Sequence, residues 1–423
     1  MKKIVLIGPG PQFKGGIANY NTSLARALER TGTCDVHIVS WTQQYPAIIP
    51  RDFIDRKSKA NQLEGSKVKV DYMLNYNNPF SWIKTIQFIK KQKPDAVIIQ
   101  WSISVQGLPI GYIVKRLQRA GIRVGLELHN VRQKENSFVD TFLSKCGIRN
   151  VDFYISHGML TIRELQTVFP KKKFEVVDGN TRVKGTGQLI LNLYHPVYDM
   201  FKPVPGFDIE QEKKRLGLNK HVFLFFGFIR KYKGLHHAIR AFAQLAAKRK
   251  DVTLLVVGES FWQTLDSRKF STRAKKFIFT FIKKLLLSSS DDEQNYRPLD
   301  LINEYNISDQ VVVVNEFIPN EEVHRYFQVS DSLLLFYTYS TPSGVESIAY
   351  NFNLPILATR VGNFPDTIRE GVTGYIADAG DIYSMADVME RSIEKPVDRT
   401  NVAKHASAIT WDNYAAAIVK TIL

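Results

Sequence analysis

The sequence predicts an α/β protein built from two Rossmann-like domains that face each other across a cleft. Short apolar, β-rich runs alternate with helical patterns from the first residues onward, which is how parallel strands joined by helical crossovers read. The alternation stops near residues 196–207, where Pro203, Pro205 and Gly206 mark a linker, and then starts again. A chain of 423 residues has room for two such domains, each with its own apolar core.

Taken in order, residues 4–7 (Ile-Val-Leu-Ile) form the first strand, and a glycine-containing loop leads to a helix over 19–30 with Leu24, Ala25 and Leu28 on one face. Strands over 36–39, 96–99, 124–128 and 153–155 continue the series, with helices over 83–91 and 110–120 between them. Most of these strands end at polar residues, the edge at which open α/β sheets bind ligands. The second series has strands over 221–226, 253–257, 311–314, 332–336 and 355–358, with helices over 235–248 and 344–352. The predicted domains are 1–202 and 203–409, and the final helix, 410–423, is expected to return to the first domain.

The segment 266–297 breaks the rhythm. Phe270, Phe277, Ile278, Phe281 and Leu285 share a helical face and lysines fill much of the rest. It reads either as a helix resting on anionic lipid or, the preferred reading, as an insertion that buries its apolar stripe on its own domain.

Composition narrows the function classes. With 44% hydrophobic and 23% charged residues the chain is far from a disordered profile. A net charge of +16 draws it toward polyanions, whether nucleic acid, anionic lipid or phosphorylated substrate. Its two cysteines, Cys34 and Cys146, have neither paired spacing nor neighbouring histidines, so a reduced, cytosolic setting without a disulfide framework or a metal site is expected. Met1 to Ile7 resembles the start of a signal peptide only briefly, because Gly8-Pro9-Gly10 cuts the apolar run short. No stretch approaches the roughly 18 apolar residues of a bilayer span, so membrane contact is expected to be peripheral.

Three strand-to-helix junctions carry the chemistry. In Lys14-Gly15-Gly16-Ile17-Ala18 the glycines Gly15 and Gly16 let backbone approach a ligand, and the following helix start offers open N–H groups; a tight turn explains the same glycines. In the run from Phe226 to Leu235, Arg230 and Lys233 are placed for an anion, flanked by Gly227 and Gly234. In the run from Ser340 to Tyr350, Ser343 and Gly344 begin a helix whose N–H groups suit a second phosphate contact, with Val345 and Glu346 in its first turn. The Glu346 carboxylate either accepts from a ribose or sugar hydroxyl or complements the helix dipole. His129, after a strand and beside Asn130, is expected in the cleft, whereas His157 and His195 are read as structural histidines.

In this order the motifs resemble the retaining glycosyltransferases of family 4, whose fold is termed GT-B. The resemblance runs through Lys14-Gly15-Gly16, His129-Asn130-Val131, His195-Pro196-Val197-Tyr198, Gly227 to Gly234, Val257-Gly258-Glu259, Asn315 to Val323, and Ser343-Gly344-Val345 leading into Pro355 to Asn363. It implies a nucleotide diphosphate sugar as donor, UDP- or GDP-linked, with Lys233 on the diphosphate and Arg230 as its partner. It further implies that Phe317 and Ile318 lie against the base, that Gly16 and His129 face the transferred sugar, and that protein cations replace a metal. A hexose-type transfer to a saccharide or lipid-linked acceptor is expected, in surface polysaccharide or glycolipid assembly, by a cytoplasmic protein with an anionic membrane surface as a partner and no nucleic acid.

Two departures stand out. Ser340 and Ile348 occupy the positions at which the family often has two glutamates, so the ribose-binding glutamate is missing and Glu346 is only its neighbour. Phe228 stands where an arginine often follows the glycine. The rivals are a nucleotide-sugar epimerase of the same architecture and a non-enzymatic polyanion-binding protein.

Overall fold

The computed structural model describes residues 1–45, 53–131, 138–179, 187–260, 295–340 and 343–423. The expected amphipathic helix within 266–297 therefore lies outside the described residues, apart from positions 295–297.

In the N-terminal half the elements are β1 (Lys2–Ile7), α1 (Gly16–Arg30), β2 (Cys34–Gln43), β3 (Lys69–Asn75), α2 (Pro79–Gln92), β4 (Ala96–Trp101), α3 (Gly107–Gln118), β5 (Arg123–Leu128), α4 (Phe138–Ile148), β6 (Phe153–Ser156), α5 (Met159–Val168), β7 (Phe174–Val177) and β8 (Gln188–Asn192). The strands form one parallel sheet in the order β3-β2-β1-β4-β5-β6-β8-β7. Every residue of β4 is buried, as expected of a strand covered by helices on both faces.

The C-terminal half follows with α6 (Ile209–Leu216), β9 (His221–Phe226), α7 (Leu235–Lys248), β10 (Val252–Val257), α8 (Asp300–Glu304), β11 (Val311–Val314), α9 (Val323–Gln328), β12 (Ser332–Leu335), α10 (Gly344–Asn351), β13 (Ile356–Thr359), α11 (Phe364–Thr367), β14 (Gly374–Ala377), α12 (Ile382–Glu394), α13 (Arg399–Ala408) and α14 (Trp411–Ile422). Its sheet is also parallel, in the order β11-β10-β9-β12-β13-β14. Two parallel-sheet Rossmann-like domains are what the alternating pattern predicted. In each sheet the first strand lies between strands that continue in opposite directions, and the carboxyl edge at such a switch is where a ligand crevice opens.

Helix α14 lies on the N-terminal half. Its Trp411 ring packs edge-on against Tyr20 of α1, with centroids 4.9 Å apart, and Asp412 pairs with Arg30 at 2.8 Å. The chain reaches it through Ile409, whose carbonyl accepts from Val197 N–H at 2.9 Å.

Candidate functional site

One cavity of about 430 Å³ opens between the carboxyl edges of the two sheets. The loops after β1 and β5 line one side of it, and the loops after β9 and β11 together with the start of α10 line the other. Gly15, Gly16, His129, Gly227, Arg230, Lys233, Phe317, Ile318, Ser343, Gly344 and Val345 all border this one space.

Lys233 is the group hardest to explain without a ligand. It ends a single helical turn, Lys231–Lys233, and is only 8% exposed. Burial, aided by the charge of Arg230, pushes its ammonium down to about 7, because a buried cation gives up hydration without an opposite charge to replace it. The nearest wall is Gly227, with φ at +98°, where an added Cβ would sit 2.8 Å from Lys233 Nζ. Glycine here does two things: it adopts a backbone that L-residues avoid, and it leaves room for the ammonium. Gly234 plays a different part, since a Cβ there would meet the Phe336 carbonyl at 1.8 Å; it lets α7 start hard against the loop after β12.

Across the cavity, Lys14 Nζ stands 4.9 Å from the centre of the Phe317 ring, so the first glycine loop touches the segment expected to hold a base. Gly15 has φ at +107°. Tyr198 O–H donates to the Gly16 carbonyl at 2.8 Å, and its ring lies beneath Gly344, where a Cβ would come within 3.1 Å. Asp55, Glu259 and Glu316 also line the cavity, and Glu316 is occupied by Lys57 at 2.9 Å. Three cations, Lys14, Arg230 and Lys233, thus share this cavity with the N-terminus of α10, which lacks a side-chain cap from Ser343. Cations and free N–H groups in one shielded space suit an anion with several oxygens.

Glu346 does not belong to this group. Gly344, Val345 and Ile348 lie on the cleft face of α10, and at 100° per residue Glu346 falls on its far side. There it borders a second cavity of about 80 Å³ with Asn363, Thr367 and Arg369. Its Oε1 has no hydrogen-bond partner among the described residues, and burial pushes the carboxyl up to about 7. The ribose-binding role considered for Glu346 is therefore corrected: the α-helical period turns it away.

His129 sits at the floor, with its Nε2 2.7 Å from Gln100 Oε1. Since Gln100 Nε2 donates to Glu127 at 2.8 Å, its carbonyl oxygen faces the histidine. A carbonyl only accepts, so Nε2 of His129 carries the proton and Nδ1 is the acceptor. Burial, with the His195 ring nearby, pushes His129 down to about 3, and burial takes His195 to about 4, so both are neutral. His195 Nδ1 meets Ser347 Oγ at 2.7 Å and ties the first domain to α10.

Beneath these rings lies a network that sequence reasoning missed. Glu127, fully buried in β5, accepts from Tyr20 and Tyr414 hydroxyls, each at 2.5 Å, and from Gln100. Burial raises its carboxyl while the three donors act against that. One signal was available: an acid inside the run Val-Gly-Leu-Glu-Leu must find partners. Among the described residues no group of three or more His, Cys, Asp or Glu could hold a metal.

The architecture is that of the GT-B glycosyltransferases, and residues 207–408 match the model of the family "Glycosyl transferases group 1". Among solved structures, sucrose-phosphate synthase from Thermosynechococcus elongatus superposes with a TM-score of 0.64 at 16% identity, covering 99% of this chain and 98% of that one. Anabaena HepE in complex with UDP-glucose gives a TM-score of 0.67 at 15% identity, covering 99% of each chain. In sequence, the chain is 26% identical over 192 residues to the 2-deoxystreptamine glucosyltransferase of Streptomyces kanamyceticus, covering 45% of this chain and 41% of that protein. It is 24% identical over 269 residues to the D-inositol 3-phosphate glycosyltransferase of Arthrobacter sp. (strain FB24), covering 59% and 57%. The chain spans about half the length of the curated relatives it matches.

Proposed function

We propose that the protein is a glycosyltransferase that takes a hexose-type sugar from a UDP- or GDP-linked donor and passes it, with retention of anomeric configuration, to a saccharide or lipid-linked acceptor. The observation that carries this reading is the buried Lys233 ammonium, walled by Gly227 and lining one interdomain cavity together with the start of α10. A diphosphate supplies the opposite charge that the buried Lys233 ammonium is without. As the sugar–phosphate bond breaks, charge builds on the leaving diphosphate, and Lys233, Arg230 and the N–H groups at Gly344 and Val345 are positioned to meet it without a metal. Phe317 and Ile318 form the apolar wall for the base, while His129 and the Gly15–Gly16 backbone border the space for the sugar.

The resemblance to family 4 and the likeness to Anabaena HepE, solved with UDP and with UDP-glucose, support this reading, as does the family model over the C-terminal half. A place in surface polysaccharide or glycolipid assembly, at the cytoplasmic face of a membrane, fits the net charge of +16.

The test is turnover of Lys233→Ala, which should fall in kcat by about 10²–10³ while the protein stays folded, the usual effect of removing one donor aimed at developing charge. Unchanged turnover removes Lys233 from the mechanism. Incubation with the donor alone separates transfer from epimerisation: slow hydrolysis supports transfer, and an isomeric nucleotide sugar supports the epimerase.

A further inference from the structure

The outer layer of the N-terminal domain has an exposed face that the cleft does not use. Helices α2, α3 and α4 pack side by side on one face of the sheet. Gly107 and Gly111 bring α3 against the backbone of α4, for a Cβ at either would meet the Leu143 or Cys146 carbonyl at 1.9 Å and 2.4 Å. Trp82 of α2 and Tyr112 of α3 lie with ring centroids 6.0 Å apart.

Each helix presents a solvent stripe of the same polarity. Phe80 is 82% exposed at the start of α2, and along that stripe come Ile83, Lys84, Gln87 and Lys91. On α3, Leu108 begins a stripe that continues through Lys115, Arg116 and Arg119 just beyond. On α4, Phe138 at 87% exposure and Phe142 are followed by Lys145 and, past the helix end, Arg149. The spacings of three, four and seven put these residues on one side of each helix. Helices α2 and α3 contain no acidic residue, and the one acid of α4, Asp140, accepts from Ser104 Oγ at 2.5 Å.

Because the crossovers are parallel, the apolar starts of α3 and α4 lie at the carboxyl edge of the sheet, the edge from which β5 leads into His129 and Asn130 at the cleft. Exposed phenylalanines followed along each helix face by cations, with scarcely an acid among them, match a bilayer surface: rings enter the acyl boundary while lysines meet anionic headgroups.

We infer that the α2–α3–α4 face is a docking surface for an anionic lipid bilayer. The bilayer then meets the same edge as the cleft, so the acceptor sugar is presented on a membrane lipid; that last step rests on the transferase reading, whereas the docking does not.

The experiment is co-sedimentation of the full chain with vesicles of phosphatidylcholine alone or mixed with phosphatidylglycerol. The native protein should bind the mixed vesicles and leave the neutral ones. Two triple variants of exposed residues, Phe80→Ser/Phe138→Ser/Phe142→Ser and Lys84→Glu/Lys115→Glu/Lys145→Glu, should each bind at least about tenfold more weakly, since each cation near an anionic surface contributes substantially. Charge reversal at Lys275, Lys276, Lys283 and Lys284 should leave binding near the native level. Native-like binding by both triple variants, or no vesicle binding by the native chain, overturns the inference. Thermal shift with UDP and GDP on the same samples keeps the two readings apart: vesicle binding without any nucleotide response sinks the transferase reading and leaves the docking surface standing.

Discussion

Raising the pH should weaken nucleotide binding through Lys233. Its ammonium is held down to about 7 in the unliganded protein by burial and by the charge of Arg230. A bound diphosphate favours the charged form and lifts that value, so binding must take up a proton wherever the free lysine has lost one. The sign follows. Well below pH 7 the lysine is already charged and affinity does not depend on this group, whereas above it each pH unit costs about 1.4 kcal/mol of binding until the bound-state value is reached. Between about pH 7 and about pH 8.5 the charged fraction drops from near one half to a few per cent, so the dissociation constant for UDP or GDP should rise roughly 15-fold. Calorimetric titration in two buffers of different ionisation heat measures both quantities, the affinity and the proton taken up. In Lys233→Met the affinity should be low at every pH and the dependence gone. A flat profile for the native protein, or an equal slope in the variant, refutes the reasoning.

Other consequences can be checked with single variants. Gly227→Ala places a methyl group 2.8 Å from Lys233 Nζ at a φ of +98°; it should cost about 1–2 kcal/mol of stability in denaturant melts and more than about tenfold in nucleotide affinity, as expected when a charge-assisted hydrogen bond of about 1.5–3 kcal/mol is displaced. Glu346→Gln should leave nucleotide affinity unchanged, because the residue faces the other cavity. The native carboxyl, lifted from 4.5 to about 7, makes stability fall as pH rises through that window, since the unfolded chain ionises first. The Gln variant should flatten that fall and melt higher at pH 8, by up to about 3 kcal/mol at about 1.4 kcal/mol per unit. Tyr414→Phe removes one of the three donors to buried Glu127 and should cost about 1–3 kcal/mol, read by chemical unfolding.

The fold was legible where strands are continuous apolar runs. The helix over 235–248 and the strands over 221–226 and 311–314 coincide with their predicted bounds: β9 is buried on both faces and has no polar alternation to confuse the reading, β11, though half-buried at the sheet edge, is four valines in a row, and the helix keeps its apolar period throughout. Strand β3 was not legible: Lys-Val-Asp-Tyr-Met-Leu-Asn lies at the sheet edge, where only Leu74 is fully buried and the apolar signal fades. Helix α13, with Val402 and Ala406 its only buried residues, carries too thin an apolar stripe to find. Glycine loops and strand-end cations marked most of the cleft, since those positions are set by local chemistry. Glu346 misled because its place in the first turn was legible but the direction of the helix face was not. The Glu127 network was hidden for a deeper reason: Tyr20, Gln100 and Tyr414 are up to 394 positions apart along the chain and only the closed fold brings them to one carboxylate.

The central claim is that two linked phosphates are held between the sheets by Lys233, Arg230 and the start of α10. A crystal structure of the protein with UDP or GDP bound tests it most directly. The account predicts the diphosphate within hydrogen-bond reach of Lys233 Nζ and of the backbone N–H groups at Gly344 and Val345, with the base beside Phe317 and Ile318. A nucleotide seated elsewhere, or one whose phosphates point to solvent away from Lys233, contradicts it.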